Sequence, residues 1–378
     1  MFKRAFILPG FLMLLVFQGH SQPVFDFQGQ ASAWVNVNPG NSLPLWAGAR
    51  YLPQLNFSLL PEGSPQVDFE FSANMNGSGG LHPFDSLHTE GKIKPYRAWA
   101  RFSTSQLEVR LGLQKINFGS ASMLRPLMWF DQVDPRDPLQ LTDGVWGLLG
   151  RYYFLNNTNI WLWGLYGNEG PKTWEIGTTT PKTPEYGGRL QVPVPRGEGA
   201  LTFHHRKADI EFPGMYITFP EISENRYGFD IKLDVEVGLW LEGTWINKRQ
   251  DLFDFTNQEI LNLGMDYTFN LGNGLNIILE QLLFSYDRDP FALKNKTHFS
   301  ATSLSYPINI LDNISTIFYY DWTNKHWYSF ASWQRQLNRF TFYLMGFWNP
   351  ETFQLPQQSE GAEMFAGKGF QIMIVYNH

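Results

Sequence analysis

Arg226–Glu236, RYGFDIKLDVE, alternates without a break: Tyr227, Phe229, Ile231, Leu233 and Val235 fall on one side, and Arg226, Asp230, Lys232, Asp234 and Glu236 on the other. A period of two is the signature of a β-strand, whose successive side chains point to opposite faces; no helix keeps these two sets apart. Two environments suit such a strand. In a soluble sandwich the apolar face points into a core, whereas in a membrane barrel it meets lipid and the charges line a wet interior. The rest of the chain decides between them.

The amino terminus reads as an export signal. Lys3 and Arg4 precede the apolar run from Ala5 to Phe17, and Gly19-His20-Ser21 supplies small residues where a signal peptidase cleaves, so residues 1–21 are expected to leave and the mature chain to begin at Gln22. The apolar run is too short to span a bilayer as a helix, and nothing after it reaches the length a spanning helix needs. A membrane protein without spanning helices must be a closed barrel, the other structure that satisfies every backbone group in lipid.

Composition narrows the class further. The 378 residues include no cysteine, which excludes a lipid-anchored lipoprotein, disulfides and thiolate metal sites. Net charge is −6, or −8 once Lys3 and Arg4 are removed, which gives no footing for nucleic acid. Aromatic residues make up 16% and are spread along the whole length, as two interfacial girdles require. A β-rich soluble sugar-binding protein would share that richness.

Short turn signals recur at Pro61–Ser64, Ser103–Ser105, Asn156–Thr158, Pro195–Gly199, Val237-Gly238, Gly272–Gly274, Leu311–Asn313 and Leu337–Arg339. Between the hairpins they close lie longer polar connections: residues 38–46, 76–91, 118–140, 168–184, 207–223, 250–257, 287–296, 322–325 and 350–366. Strict alternation of short and long connections is the plan of an up-and-down barrel with short periplasmic turns and longer external loops. Eight turns pair sixteen strands, and a first strand at Phe25–Val37 and a last at Gly369–Tyr376 make about eighteen; poor alternation around Ile160–Tyr166 and Phe299–Tyr306 leaves sixteen as the alternative. The fold class expected for residues 22–378 is therefore all-β, a single transmembrane antiparallel barrel. Phe370, Ile372, Ile374 and Tyr376 share one face of the final strand, resembling the terminal signal read by the barrel-insertion machinery, although Asn377 and His378 follow it.

Parity sends an unusual amount of charge into the interior. A charge facing hydrocarbon costs about 2–4 kcal/mol at mid-bilayer, so Asp68 and Glu70, Arg97 and Arg101, Glu108 and Arg110, and then Arg151, Arg189, Arg206 and Arg226 are expected to line the lumen. Opposite charges on neighbouring strands can hold the wall together; a row of arginines faced by acids can also select solutes by charge. The segment 118–140 combines Met123, Leu124, Leu127, Met128, Trp129 and Phe130 with Arg125, Asp131, Asp134, Arg136 and Asp137. So much apolar surface has no use in a solvated external loop, and the segment is expected to fold inward against the wall. Its aspartates match no defined cation loop.

Arg110-Leu111-Gly112-Leu113-Gln114, continuing to Phe118-Gly119 and a loop rich in Pro and Asp, resembles the strand-to-loop passage of porin-like channels of the alginate-export and related eighteen-stranded families. The second Arg common in those families is Leu113 here. The resemblance covers the overall plan and implies a passive channel of a Gram-negative outer membrane with an arginine-lined constriction. Arg97, Arg101, Arg110, Arg125, Arg151 and Arg189 would form its positive side, and Asp68, Glu70, Glu108, Asp131 and Asp134 its acidic side. Partners expected on this reading are outer-membrane lipid and lipopolysaccharide, small hydrophilic solutes and the insertion machinery.

Enzymatic signals are thin. No G-x-S-x-G, H-E-x-x-H or phosphate-binding glycine loop occurs. His204 and His205 are adjacent on a strand, so they face opposite ways and only His204 points to the lumen. No cofactor is expected. Strand pattern begins at Phe25, leaving no room for the plug of an energy-coupled transporter. A closed barrel that serves as scaffold or as part of a surface complex, with Trp99 and Trp240 packed across the lumen, is the competing reading, and an outer-membrane barrel enzyme a more distant one.

Overall fold

A computed structural model describes residues 23–59, 65–82, 86–212, 217–352, 355 and 362–378. The expected export signal, the turn at Pro61–Ser64 and parts of several long connections lie outside the described residues. The strands are β1 (Val24–Val37), β2 (Leu45–Ser58), β3 (Gln66–His82), β4 (Ser86–Ser103), β5 (Leu107–Gln114), β6 (Val145–Tyr153), β7 (Asn159–Leu165), β8 (Thr178–Thr179), β9 (Glu185–Val194), β10 (Gly197–Phe212), β11 (Ile217–Asp234) and β12 (Gly238–Lys248). They continue as β13 (Asn257–Phe269), β14 (Leu275–Asp287), β15 (Asn295–Pro307), β16 (Asp312–Asp321), β17 (His326–Gln336), β18 (Phe340–Trp348) and β19 (Lys368–Asn377).

Apart from the two-residue β8, each strand pairs antiparallel with the strands before and after it, β7 with β9, and β1 pairs with both β2 and β19, the latter from Gln30↔Asn377 to Val37↔Phe370. The sheet is thus closed. Two-residue β8 pairs with β10 at Thr178 and Thr179 beyond the end of β9, so it extends that stave rather than adding one. The barrel has eighteen staves, not sixteen. The weakly alternating stretches 160–166 and 299–306 are β7 and β15.

Burial follows parity around the wall. On β13, Gln258, Ile260 and Asn262 are buried, whereas Leu261, Leu263 and Met265 are exposed. On β11, Arg226 and Asp230 are buried and Tyr227 and Phe229 exposed, so the greasy face of the opening stretch points outward and the charged face inward. This is the inverse of a soluble sandwich. On β19, Phe370, Ile372 and Ile374 are exposed and Gln371, Met373 and Val375 buried. The outward band is the lipid face of a transmembrane barrel.

Three boundaries differ from the sequence expectation. The strand at 226–236 stops at Asp234, because Glu236 takes a positive φ of 86° in the turn to β12. Residues 76–91 and 207–223, read as loops, are mostly strand: β3 and β4 pair out to His82↔Ser86, and β10 and β11 out to Phe212↔Ile217. Residues 76–91 are polar and Gly-rich and so read as connection; residues 207–212 do alternate, with Ala208 and Ile210 buried against Ile222 and Leu252, but Lys207, Asp209 and Glu211 give the stretch the look of a charged loop.

Large inward side chains lie over inward glycines on the next strand. The indole of Trp240 covers Gly264 so closely that a Cβ there would sit 2.2 Å from the ring; Trp34 covers Gly48, Trp46 covers Gly80 and Trp163 covers Gly187 in the same way. The glycine makes room and the ring restores the packing that the missing side chain gives up.

Because Leu263 sits at the middle of β13 on the outward face, Leu263→Arg should lower unfolding free energy in lipid vesicles by about 2–4 kcal/mol. Ser332→Arg, at mid-strand on the inner face of β17, should cost far less. Urea titration of both variants, followed by intrinsic fluorescence, measures the difference.

Candidate functional site within the lumen

The connection between β5 and β6, residues 115–144, crosses the barrel. It is held on the far wall by two carboxylates that sequence reasoning did not single out. Glu242 on β12 accepts the backbone N–H groups of Ser120 (2.7 Å), Ala121 (2.9 Å) and Leu127 (2.7 Å). Glu280 on β14 accepts those of Ser122 (2.6 Å), Met123 (3.1 Å) and Leu124 (2.6 Å). Asn262, on β13 between them, donates to the Leu124 carbonyl (2.8 Å) and accepts from Trp240 Nε1 (3.2 Å). Charge-assisted bonds from several convergent N–H groups fix a loop better than any single side-chain contact. Gly119 allows the approach: its φ of 99° and its place against the Glu242 carboxylate leave no space for a Cβ.

Apolar side chains of this loop then fill the barrel. Met123, Leu124 and Met128 pack with Ile246, Ile260, Leu282, Phe299, Tyr319 and Tyr328 of the β12–β17 wall. Phe118, Leu127, Trp129 and Phe130 pack with Val145, Leu149 and Trp163 of β6 and β7, the Phe118 and Trp163 rings stacking at 5.8 Å. Within the loop Arg125 binds Asp131 (2.9 Å) and Arg136 binds Asp134 (2.6 Å), all with buried side chains. These ion pairs therefore tie the loop to itself. Its return leg is held by Arg97 Nη2 on the Thr142 carbonyl (3.0 Å) and by Lys94 on Asp143 (2.6 Å).

Of the remaining sequence-selected residues, one group gathers on the inner faces of β3–β6. Arg101 binds Asp68 (2.7 Å), while Glu108 lies 3.2 Å from Arg110, 3.5 Å from Arg151 and 3.9 Å from Arg101. Three guanidinium groups thus share two carboxylates. Arg110 also lies over the Trp99 ring at 4.6 Å and Arg151 over Trp161 at 3.9 Å, placements that hold the cations flat against the wall. Glu70 pairs in register with Trp99. Arg189 stands apart, bound to Asp230 (2.6 Å) beneath the Phe118 ring. By strand parity Arg50 on β2, with Lys92 and Lys94 on β4, continues the basic row toward the long-loop end. The adjoining wall, on β1 and β17–β19, presents mostly uncharged inward groups such as Gln28, Gln30, Asn36, Gln334, Tyr343 and Gln371.

A second connection, 166–184 between β7 and β9, also turns inward. Glu175 at its centre meets Arg206 (3.0 Å) and Arg226 (2.7 Å), and both arginines also bind Glu224 (2.7 Å each). Trp174 donates to the Arg125 carbonyl (2.8 Å) and Gln258 to the Trp174 carbonyl (3.1 Å), which joins the two loops to each other and to β13. His204 lies beside this network, buried, between Glu185 (3.2 Å) and the Trp163 indole N–H (3.2 Å), while His205 faces the other way and meets Asn225. Among the described residues no group of three or more His, Cys, Asp or Glu is placed to hold a metal ion.

Arg206 and Arg226 were legible as inward charges; Glu175 was hidden in a segment that reads as polar loop. For Glu242 and Glu280 the available signal was parity, since each is an acid at mid-strand on the inner face. Burial raises the carboxyl pKa of Glu175, but the facing Arg206 and Arg226 outweigh it and hold it below the ordinary glutamate value. Asp137 differs: burial raises its pKa, and its own backbone contacts and Arg50 offset that only in part.

No protein-family description matches the chain, and no curated protein matches it in sequence. Solved structures do match its shape. OccAB4 of Acinetobacter baumannii superposes with a TM-score of 0.56 at 10% identity, covering 95% of this chain and 98% of its own; OccAB2 of the same organism gives 0.54 at 10% identity, covering 94% and 98%. The fold is that of outer-membrane porins. At such low identity the porin likeness is one of architecture, and the lumen residues of this barrel stand on their own geometry.

Two outcomes are expected from the anchors. Since the chain has no cysteine, Met123→Cys offers a single reporter thiol: it should resist a membrane-impermeant thiol reagent in the parent and label readily when Glu280→Ala removes the acceptor of three N–H groups. Because the Glu175 pKa is lowered on folding, its ion pairs contribute fully above the unfolded glutamate value and are lost as pH falls through the lower folded one. A spin label at Thr173→Cys should therefore stay immobile down to the ordinary glutamate value of 4.5 and gain mobility only below it.

Proposed function

We propose that this protein is an outer-membrane channel for the passive diffusion of small hydrophilic solutes, narrowed by the loop that includes residues 118–140 and biased toward anions. The observation that carries this reading is the placement of that loop. Stapled to Glu242 and Glu280, it packs on the β12–β17 side of the lumen and against β6 and β7, and on our reading solute passes beside the less buried Arg101, Arg110 and Arg151. On the inner faces of β3–β6 the charge balance is positive by one, with Arg97, Arg101, Arg110 and Arg151 set against Asp68, Glu70 and Glu108. Opposed rows of unlike charge in a narrow, partly desolvated passage act on every solute that passes, and their sum decides the sign of the preference.

The chemistry argues for transport rather than turnover. His204 is enclosed by Glu185, Trp163 and Phe130, out of reach of a solute, and Asp68, Glu108, Glu175, Glu224, Glu242 and Glu280 are committed to arginines or to backbone N–H groups. A second reading, a closed barrel acting as scaffold, draws on the full burial of Met128, Trp129, Arg206 and Arg226. Export, residence in the outer membrane and contact with its lipids follow from the same reading of the barrel.

Planar-bilayer recording separates the two. Purified protein should insert with discrete conductance steps under conditions where a control porin does; their absence would sink the channel reading in favour of the scaffold. Reversal potential in a salt gradient should show anion preference, and Arg110→Glu should move it toward cations. The double variant Glu242→Gln, Glu280→Gln should open larger unit steps, as the loop leaves the far wall.

A further inference from the structure

On the inner face of β3–β5 one acid has no cation of its own. Asp68 binds Arg101, and Glu108 is shared by Arg110, Arg151 and Arg101, whereas among the described residues Glu70 forms no ion pair. Arg97 and Arg110 nevertheless lie near enough to act on its carboxylate. Arg97 is occupied, its Nη2 on the Thr142 carbonyl (3.0 Å). Arg110 is not held away by any such bond to the backbone, and a carboxylate and a guanidinium kept apart in a half-buried site forgo a charge-assisted pair. A third group must separate them.

Trp99 has the position to do so. It stands directly across from Glu70 in register, and its side chain is the hydrogen-bonding partner of the Glu70 carboxylate; the indole N–H is the one donor a tryptophan has. The ring face meanwhile carries Arg110, with its guanidinium carbon 4.6 Å from the centroid, and Arg101 at 5.8 Å. One side chain thus takes the acid at its edge and two cations on its face. Gly112 pairs with Trp99 from β5, where a Cβ would collide with the Ala98 carbonyl, so β5 sets no side chain beside the indole and Arg110, next along the inner face, reaches the ring.

The two ways of holding a guanidinium differ in what they leave for a solute. A carboxylate in contact cancels the charge, whereas the quadrupole of a ring attracts the cation and adds no net charge of its own. We propose that Trp99 is the positioning residue of the anion preference: it keeps Glu70 from neutralising Arg110 and so preserves a positive charge beside the passage. This role rests on the channel reading, but the separation of Glu70 from Arg110 that it requires can be measured without any current.

The test is a double-mutant cycle on the full-length protein in planar bilayers, read as reversal potential in a potassium chloride gradient. Trp99→Leu frees both groups; Glu70 should close on Arg110, and the anion-to-cation permeability ratio should fall by about threefold, the effect of one unit charge about 7 Å away in water. Trp99→Leu with Glu70→Gln should return the ratio to the parent value or above it, because no acid remains to close. Trp99→Phe keeps a face for Arg110 but loses the N–H, should fall between parent and Trp99→Leu, and serves where the leucine variant does not fold. An unchanged ratio in Trp99→Leu, or an equal drop with and without Glu70→Gln, would reduce Trp99 to wall packing and overturn the proposal. Crystal structures of the parent and Trp99→Leu give the readout that needs no conductance: the Glu70 to Arg110 separation should pass from beyond 4.0 Å to about 2.8 Å. A parent that carries no current fails the channel reading alone, while an unchanged separation fails the role of Trp99.

Discussion

A backbone N–H or C=O left unpaired in hydrocarbon costs several kcal/mol, and the seam between β1 and β19 is where this chain meets that demand. Residues 347 positions apart in sequence, such as Gln30 and Asn377, must come into register before the sheet has no edge. Once it closes, parity has only one consistent assignment around the ring. A slip by one residue would turn the face of Arg226 and Asp230 to lipid and that of Tyr227 and Phe229 to water. Closure therefore fixes the inside as much as the outside.

What fills the inside obeys different physics. The lumen along β6, β7 and β12–β18 holds a packed interior that no solvent-filled cylinder needs, built by side chains of the connections set against inward side chains of the strands. Two kinds of polar contact hold them there. Glu242 and Glu280 gather main-chain N–H groups, which depends on backbone shape and little on side-chain identity. Arg206 and Arg226 grip Glu175 and Glu224 in a desolvated cluster, where removing either partner would strand a buried charge. The basic residues of β3–β6 are more accessible and share fewer acids. Packed interior thus lies along one part of the wall and the more accessible charge along another.

Much of the plan was legible from the chain alone. Turn residues at Asn156–Thr158, Gly272–Gly274 and Leu337–Arg339 fall where the short turns are, and the apolar face of 370–376 is the outward one, because turn chemistry and alternation are local properties. The hairpin ends at 76–91 and 207–223 were misread, the first because it is polar and Gly-rich, the second because Lys207, Asp209 and Glu211 look like loop charges although they alternate with Ala208, Ile210 and Phe212. Arg125, Asp131 and Asp134 were legible as charges of an inward loop. That they bind within the loop, Arg125 to Asp131 and Asp134 to Arg136, depends on how the loop turns back on itself.

Sequence by itself determined the strand period and which face of each strand meets lipid, since both repeat every two residues, and it narrowed the staves to eighteen or sixteen, between which the closed pairing decides. Only the tertiary structure decided where the lumen is filled and which charges remain at its margin. Glu280 lies 156 residues from Leu124, and Glu175 lies 51 residues from Arg226, so no local pattern joins either pair. They meet because a closed wall brings distant strands around a common interior, and there an acid that looks like any other inward charge becomes the anchor of a loop.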